Sequence, residues 1–326
     1  MNAVLLLKLL AIFGTVAAGS GLGVAARRGW LGAALRKIDL AGWIARVTFG
    51  LFIPALLFRS IARLDLAHLP APLLVAYFVP ALIYLGAVYA IARRRVVPGQ
   101  PAAAATRAVA ATYGNSVQIG LPMAAAVFGA QGLGLHVALV SVHGLLILVL
   151  ATTLVELDLA RHGGTATLGQ TLVQTVRNTV VHPVVLPVLA GFVWNLLGLP
   201  LPGPLDAVLQ VLGAVALPLC LLATGLALVT YGTQGDWRAA AVIAAAKLLV
   251  MPAVVGLAAA FAFGLSGQAL AVLVLFAAAP VGANPLIFAL RYRCLEGEVS
   301  VAIVLSTLAF VLTAPLAVAL LGQSAP

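Results

Sequence analysis

The sequence predicts an all-α polytopic membrane protein of ten transmembrane helices, built as two inverted five-helix repeats. Three observations carry that expectation: composition, the spacing of apolar runs, and the sidedness of basic residues. Of the 326 residues, 63% are hydrophobic and only 8% charged, and the mean hydropathy is +1.17. A soluble domain carries roughly a quarter charged residues. Most of this chain cannot face water, and no large soluble domain fits beside the apolar segments.

Apolar runs fall at about 3–25, 40–58, 71–92, 104–129, 133–156, 173–198, 206–230, 239–264, 268–291 and 299–321. Each is about the length of one crossing, near 20 residues. They must be helices, because a lone span in lipid has to satisfy its own backbone. None shows the period-2 alternation of a transmembrane barrel strand. The first run holds one early Lys8 and is too long for the apolar region of a secretion signal, so it reads as the first helix.

Charge sets the expected orientation. The connections after the odd-numbered runs hold Arg27, Arg28, Arg36, Lys37, Arg93, Arg94, Arg95, Arg161, Arg177, Arg238, Arg291 and Arg293, whereas the opposite ones hold Arg59 and Arg63. Basic residues concentrate on the cytoplasmic side. Odd connections are therefore cytoplasmic and both termini periplasmic, in a multi-pass protein of the inner membrane. The net charge of +10 follows from this asymmetry and does not indicate nucleic acid.

The longest connection, 158–172, separates a first repeat at 1–157 from a second at 173–326. Five helices per repeat is an odd number, so similar halves must lie inverted in the membrane. The halves echo each other. Phe52-Ile53-Pro54-Ala55-Leu56-Leu57 resembles Ala216-Leu217-Pro218-Leu219-Cys220-Leu221, and Pro80 has a counterpart in Pro252.

Chemistry concentrates in the fourth and ninth runs, which occupy corresponding places in the two repeats. The fourth reads Tyr113-Gly114-Asn115-Ser116-Val117-Gln118-Ile119-Gly120-Leu121-Pro122, and the ninth Ala279-Pro280-Val281-Gly282-Ala283-Asn284-Pro285. Glycine and proline weaken a helix, and proline removes a donor. Unwound backbone at membrane depth is tolerated only against protein or a water-filled cavity. Paired interruptions at matching repeat positions point to a transporter's binding site. Asn284 followed by Pro285 reads as an N-cap and first helical residue, and Pro122 also suits a helix start. Helix N-termini favour anions. The predicted substrate-contacting residues are Asn115, Ser116, Gln118, Pro122, Pro280, Asn284 and Pro285. A pair of packed proline kinks is the plainer reading of the same pattern.

These motifs are similar to those of the auxin efflux carrier family. The stretch from Gly114 to Pro122 resembles that family's helix-4 motif, especially in bacterial members, and Pro280 to Asn284 its helix-9 motif. The resemblance covers the whole chain. It implies that helices 4 and 9 cross at the midplane. It also implies a scaffold of helices 1, 2, 6 and 7 and a moving transport domain of helices 3–5 and 8–10. Asn115 and Asn284 match the family's crossover asparagines. The family likeness further suggests a homodimer through the scaffold and, for bacterial members, small carboxylate substrates such as malonate. The connection after the fifth run is shorter than the long loop of many plant members.

Other polar residues in the runs bear on mechanism. His143, near the middle of the fifth run, is a candidate proton carrier or a hydrogen-bonded structural residue. Lys247, about eight residues into the eighth, either snorkels to the interface or serves near substrate. His136 and His182 lie nearer helix ends, and Arg107 reads as an interfacial anchor. Ser141, Ser306, Thr307 and Thr313 line a site or bond their own helix carbonyls. Apart from Glu156 and Asp158 near a helix end, the runs hold no deep carboxylate, which disfavours sodium coupling through one. Cys220 and Cys294 form no metal or redox motif, and no metal or cofactor is expected.

The expected function is secondary transport of a small organic anion by elevator-like alternating access. The alternatives are a sodium-coupled symporter of the bile-acid type and an intramembrane enzyme. The latter lacks a Gly-x-Ser-x-Gly, a His-Glu-x-x-His or a membrane-embedded aspartate pair.

Overall fold

In a computed structural model, residues 3–30, 39–63, 71–94, 99–161, 184–230 and 234–322 are described, with the isolated positions 169, 173 and 177. The chain termini, most of the 158–172 connection, His182, and Arg36, Lys37 and Arg95 of the charge count lie outside the described residues. Among the described residues every regular element is helical, apart from one isolated antiparallel bridge.

Seven helices among the described residues are long and apolar enough to cross a membrane. They are Leu6–Arg27, Gly42–Ala62, Pro72–Arg93, Gly120–Leu159, Gly203–Thr230, Trp237–Ala262 and Glu296–Val318. Two shorter apolar helices cover Val185–Leu196 and Gly267–Ala278. The fourth and ninth predicted runs are each divided into two helices, and the sixth is described continuously only from residue 184. Large apolar side chains such as Phe261, Leu312 and Leu196 stand exposed on these helices. In water that would be costly; for a bilayer-facing surface it is what a lipid solvent requires.

The helices fall into two compact units. The first comprises Met1–Leu69, Ser116–Ser141 and His182–Tyr231. It holds α1 (Ala3–Arg27), α2 (Leu40–Val47) and α3 (Ile53–Ala62), the early part of α6 (Gly120–Arg161), α7 (Val185–Leu196) and α8 (Gly203–Thr230). Helices α1 and α8 pack at very short range. A Cβ on Gly19 would run into the Leu222 carbonyl, and one on Gly225 into the Val16 carbonyl. Small residues permit such close approach between membrane helices.

Helix ends in this unit are closed by side chains, as their orphan carbonyls require. Arg27 donates to the Val229 carbonyl at 2.6 Å in the last turn of α8. Asn195 donates to the Ile61 and Ala62 carbonyls at 2.9 and 3.1 Å at the end of α3. Lys8 donates to the Ala126 carbonyl at 2.8 Å, just before Gly129 breaks α6 with φ 67° and ψ −157°. That backbone conformation is open to glycine alone. Asp206, in the first turn of α8, receives Arg59 at 2.8 Å and Arg63 at 2.8 Å.

The second unit comprises Pro70–Asn115, Val142–Val181 and Gly232–Pro326. It holds α4 (Ala71–Arg93), α5 (Ala103–Thr112), the later part of α6, α9 (Trp237–Ala245), α10 (Met251–Leu257), α11 (Gly267–Ala278), α12 (Asn284–Tyr292) and α13 (Glu296–Gly322). Asp236 caps α9 by accepting from the Arg238 and Ala239 amides at 2.9 and 3.1 Å.

In each unit a widened π segment precedes a proline. Thr48–Phe52 joins α2 to α3 before Pro54, and Ala246–Val250 joins α9 to α10 before Pro252. Proline has no N–H, so the helical bond it would make is lost. The preceding residue instead closes a longer turn: Ile53 donates to the Thr48 carbonyl, and Met251 to the Ala246 carbonyl. Pro80 and Pro218 lie inside helices assigned as α throughout. The prolines that match between the two halves of the sequence therefore do not share one local structure.

Candidate functional site

The second unit contains both helix interruptions at their paired ends. Helix α5 stops at Thr112, and Tyr113 turns the backbone to φ −81°, ψ 109°. Helix α11 stops at Ala278, and Ala279 turns it to φ −54°, ψ 140°. The two released strands of backbone then pair antiparallel, with Gly114 opposite Val281. The Asn115 amide donates to the Pro280 carbonyl at 2.6 Å, and the Gly282 amide to the Tyr113 carbonyl at 3.0 Å. The Val281 amide donates to Ser306 Oγ of α13 at 3.0 Å. The unwound groups thus find partners without water, which is the condition for breaking a helix at membrane depth.

Glycine makes this pairing possible. A Cβ on Gly282 would stand 2.9 Å from the Gly114 carbonyl oxygen, closer than real Cβ atoms come. A Cβ on Gly114 would stand 3.2 Å from that of Ala279 and 3.3 Å from Lys247 Cε.

Side chains tie the pairing to the surrounding helices. Asn284 Nδ2 donates to the Tyr113 hydroxyl at 2.6 Å. The Tyr113 ring lies 4.6 Å from the His143 ring. His143 Nδ1 and the Tyr77 hydroxyl share a hydrogen bond of 3.4 Å. Phe276 meets Tyr77 edge-on at 4.9 Å. His143 is 1% exposed, so an imidazole reaches the interior of this unit two side chains from Asn284.

Lys247 does not snorkel. It is 0% exposed, and its Nζ donates to the Ala277 carbonyl in the last turn of α11. It lies in the π segment with its stem against Gly114. Arg107 is likewise more than an interfacial anchor. It makes a two-pronged bond to Glu298 at 2.8 and 2.9 Å, with the carboxylate only 6% exposed.

The start of α12 differs from expectation by one residue. Ala283 is the N-cap, with no side-chain capping bond, and Asn284 is the first helical residue followed by Pro285. From there the Asn284 Nδ2 donates to the Tyr113 hydroxyl. The predicted residues Asn115, Pro280, Asn284 and Pro285 therefore lie together in this unit. Ser116, Gln118 and Pro122 belong to the first unit. There the Ser116 carbonyl accepts from His136 Nε2 at 2.8 Å, so His136 supports the irregular stretch that leads to α6. Pro122 is buried in the first turn of α6. Ser141 bonds the Ala138 carbonyl and Ser306 the Ile303 carbonyl, the local pattern common for helical serines.

Sequence reasoning did not single out Tyr113, Tyr77 or Glu298. Tyr113 carried a signal, since it immediately precedes the Gly114-Asn115 interruption. Among the described residues, no group of three or more His, Cys, Asp or Glu could hold a metal ion.

A family model described as membrane transport protein matches residues 24–318. The chain belongs to the auxin efflux carrier family. As an auxin efflux carrier family member it is an integral membrane transporter, and the family is not one of enzymes. The search of curated proteins gave no match. The interruptions at Tyr113–Asn115 and Ala279–Ala283 thus lie in a transporter.

Proposed function

We propose that this auxin efflux carrier family member is a secondary transporter of a small organic anion, working by elevator-like alternating access across the inner membrane. The ten-helix inverted repeat, with helices 4 and 9 crossing at the midplane, is the architecture this reading assumes. Helices 1, 2, 6 and 7 act as scaffold, self-associating into a homodimer, and helices 3–5 and 8–10 move with the substrate.

One observation carries the anion assignment. The paired backbone of Tyr113–Asn115 and Pro280–Gly282 leads directly into the N-terminus of α12, which no side chain caps. That end carries partial positive charge, worth about 0.3–1 kcal/mol to an anion when exposed and up to about 2 when partly buried. The Lys247 amine lies beside the same backbone. Among the described residues of this unit, Glu156, Asp158, Asp236 and Glu298 each have a partner elsewhere, and Glu296 is exposed in the first turn of α13. A cation at this place would meet a positive helix end and no carboxylate.

A thermal-shift screen of the purified protein tests the assignment, because a ligand of the folded state raises apparent stability. Malonate, malate, lactate and benzoate are compared with the corresponding amides. Stabilisation by a carboxylate and not by its amide supports the reading. Stabilisation by amides or amines alone refutes it. Sodium-dependent uptake would favour the bile-acid-type symporter.

A further inference from the structure

We propose that the first unit binds the headgroup phosphate of an anionic phospholipid on Arg63 and Arg59, at the end where α3 stops and α8 starts. The site is separate from the interruptions and does not depend on which substrate is carried. It depends on the chain being an integral membrane protein, whose apolar surface lipid covers.

The first ground is charge. Arg59 and Arg63 are the two basic residues of the connections that the sidedness bias leaves poor in charge. They share one acid. Arg59 donates through Nε and Nη2 to the two oxygens of Asp206 at 2.8 and 3.1 Å, and Arg63 Nη1 donates to the second oxygen at 2.8 Å. Asp39, the other acid among the described residues of this unit, lies at the start of α2 beside Arg46. Asp65 lies outside the described residues. One carboxylate therefore answers two guanidiniums, and one positive charge is left over at this end among the described residues.

The second ground is the order already present in that charge. A guanidinium has five N–H donors. Arg59 is engaged by Asp206 and, at 3.4 Å, by Gln210. The Arg63 side chain is 55% exposed, and its bond to Asp206 steadies the planar fork, so less freedom is lost when an oxyanion arrives. The helix ends add to this. The carbonyls that close α3, of Ile61 and Ala62, are taken by Asn195. Asp206 stands in the first turn of α8, whose N-terminal end favours an anion.

The third ground is what surrounds the charge. Asn195, whose amide reaches the end of α3, leads into the turn that joins α7 to α8. There Leu196, Leu197 and Leu199 stand exposed, around Gly198 with φ 65°. Charge alone would suit any soluble anion. Charge beside an exposed apolar turn suits an amphiphile, with its phosphate on the arginines and its acyl chains along the leucines. A zwitterionic headgroup brings its own cation to the site and gains less from the unmatched charge, so the preferred lipid carries net negative charge.

Trp194 offers a local reporter. It precedes Asn195, and its ring meets Phe58 of α3 edge-on at 5.9 Å. The full chain, with Trp30, Trp43 and Trp237 each replaced by Phe, is reconstituted in mixtures of dioleoylphosphatidylcholine and brominated dioleoylphosphatidylglycerol. Quenching of Trp194 then gives the relative affinity of the two lipids at this end. A phosphatidylglycerol preference of about fivefold is expected, the worth of one basic residue at a membrane surface. Arg63→Gln should bring it close to one. Asp206→Asn, which frees both arginines, should raise it above the parent value. Arg46→Gln, an exposed arginine of α2 away from this end, should leave it unchanged. An arginine pair that serves only to join α3 to α8 predicts that Arg63→Gln and Asp206→Asn both lower the melting temperature and that neither moves the lipid preference. That result overturns the proposal, as do equal affinities in the parent and loss of the preference in Arg46→Gln. Inorganic phosphate that abolishes the preference, where chloride of equal ionic strength does not, would show a soluble-anion site and overturn the lipid assignment. Should Arg63→Gln fail to fold, Asp206→Asn decides alone: an unchanged or lower preference refutes the site.

Discussion

Gly282→Ala is the sharpest test of the paired interruptions. The added methyl would stand 2.9 Å from the Gly114 carbonyl oxygen, 3.1 Å from its carbon and 3.3 Å from the Asn115 nitrogen. All three are backbone atoms, so no flexible side chain can swing away. The backbones must separate, which strains the Gly282 amide bond to the Tyr113 carbonyl at 3.0 Å. Overpacking a tight site costs about 1–3 kcal/mol, and leaving a buried donor unmet costs about 1–3 kcal/mol. Because the two effects share one movement, a total of about 2–5 kcal/mol is expected. The control is Gly86→Ala in α4, where a Cβ meets nothing within 4 Å. There alanine should be neutral or stabilising by up to about 1 kcal/mol. Detergent-solubilised Gly282→Ala should melt several degrees below wild type and transport poorly, and Gly86→Ala should do neither. Identical melting and transport in the two variants would show that the segments are not paired as described.

Other expectations follow from single contacts. Asn115→Ala and Asn284→Ala should each abolish transport while the protein remains folded, and wild-type uptake by both at equal expression would return the interruptions to simple kinks. Tyr113→Phe removes the acceptor of the Asn284 amide at 2.6 Å. It should cost about 0.5–1.5 kcal/mol, and a double-mutant cycle with Asn284→Ala should show coupling; strict additivity would deny the contact. Removing Arg107 alone leaves Glu298 buried without its partner. A fully buried pair loses about 3–5 kcal/mol in that way, reduced here because Arg107 is 21% exposed. Arg107→Met with Glu298→Gln should recover most of the loss in thermal midpoint, and no recovery would rule out the pair as its cause. A reporter fused after Pro326 should be active only if it works in the periplasm; cytoplasmic activity would invert the orientation.

Local chemistry was legible in the sequence, and distant partnership was not. The Gly114-Asn115 and Pro280 to Pro285 interruptions could be read because glycine and proline weaken a helix wherever it packs. The break at Gly129 falls at the last residue of the fourth apolar run. The antiparallel pairing of Gly114 with Val281 depends on residues far apart in the chain, and no spacing encodes it. Lys247 left two readings open, because its distance from a helix end suits snorkelling as well as a place near substrate; in the structure it is buried in the π turn before Pro252. Nothing in the sequence marks Glu298, and only the fold shows that it answers Arg107. Asn284 has the residue type of an N-cap but stands one residue inside the helix, and its Nδ2 donates to Tyr113.

The central claim is that the backbone beside Asn284 receives an anion. Uptake into proteoliposomes of the carboxylate that best stabilises the wild type, compared with Asn284→Asp, tests it most directly. The Tyr113 hydroxyl can donate to the new carboxylate, so the local contact survives while a negative charge is placed at the α12 terminus. The account predicts that Asn284→Asp melts near wild type and loses uptake of the anion. Uptake at the wild-type rate, or faster, would contradict it.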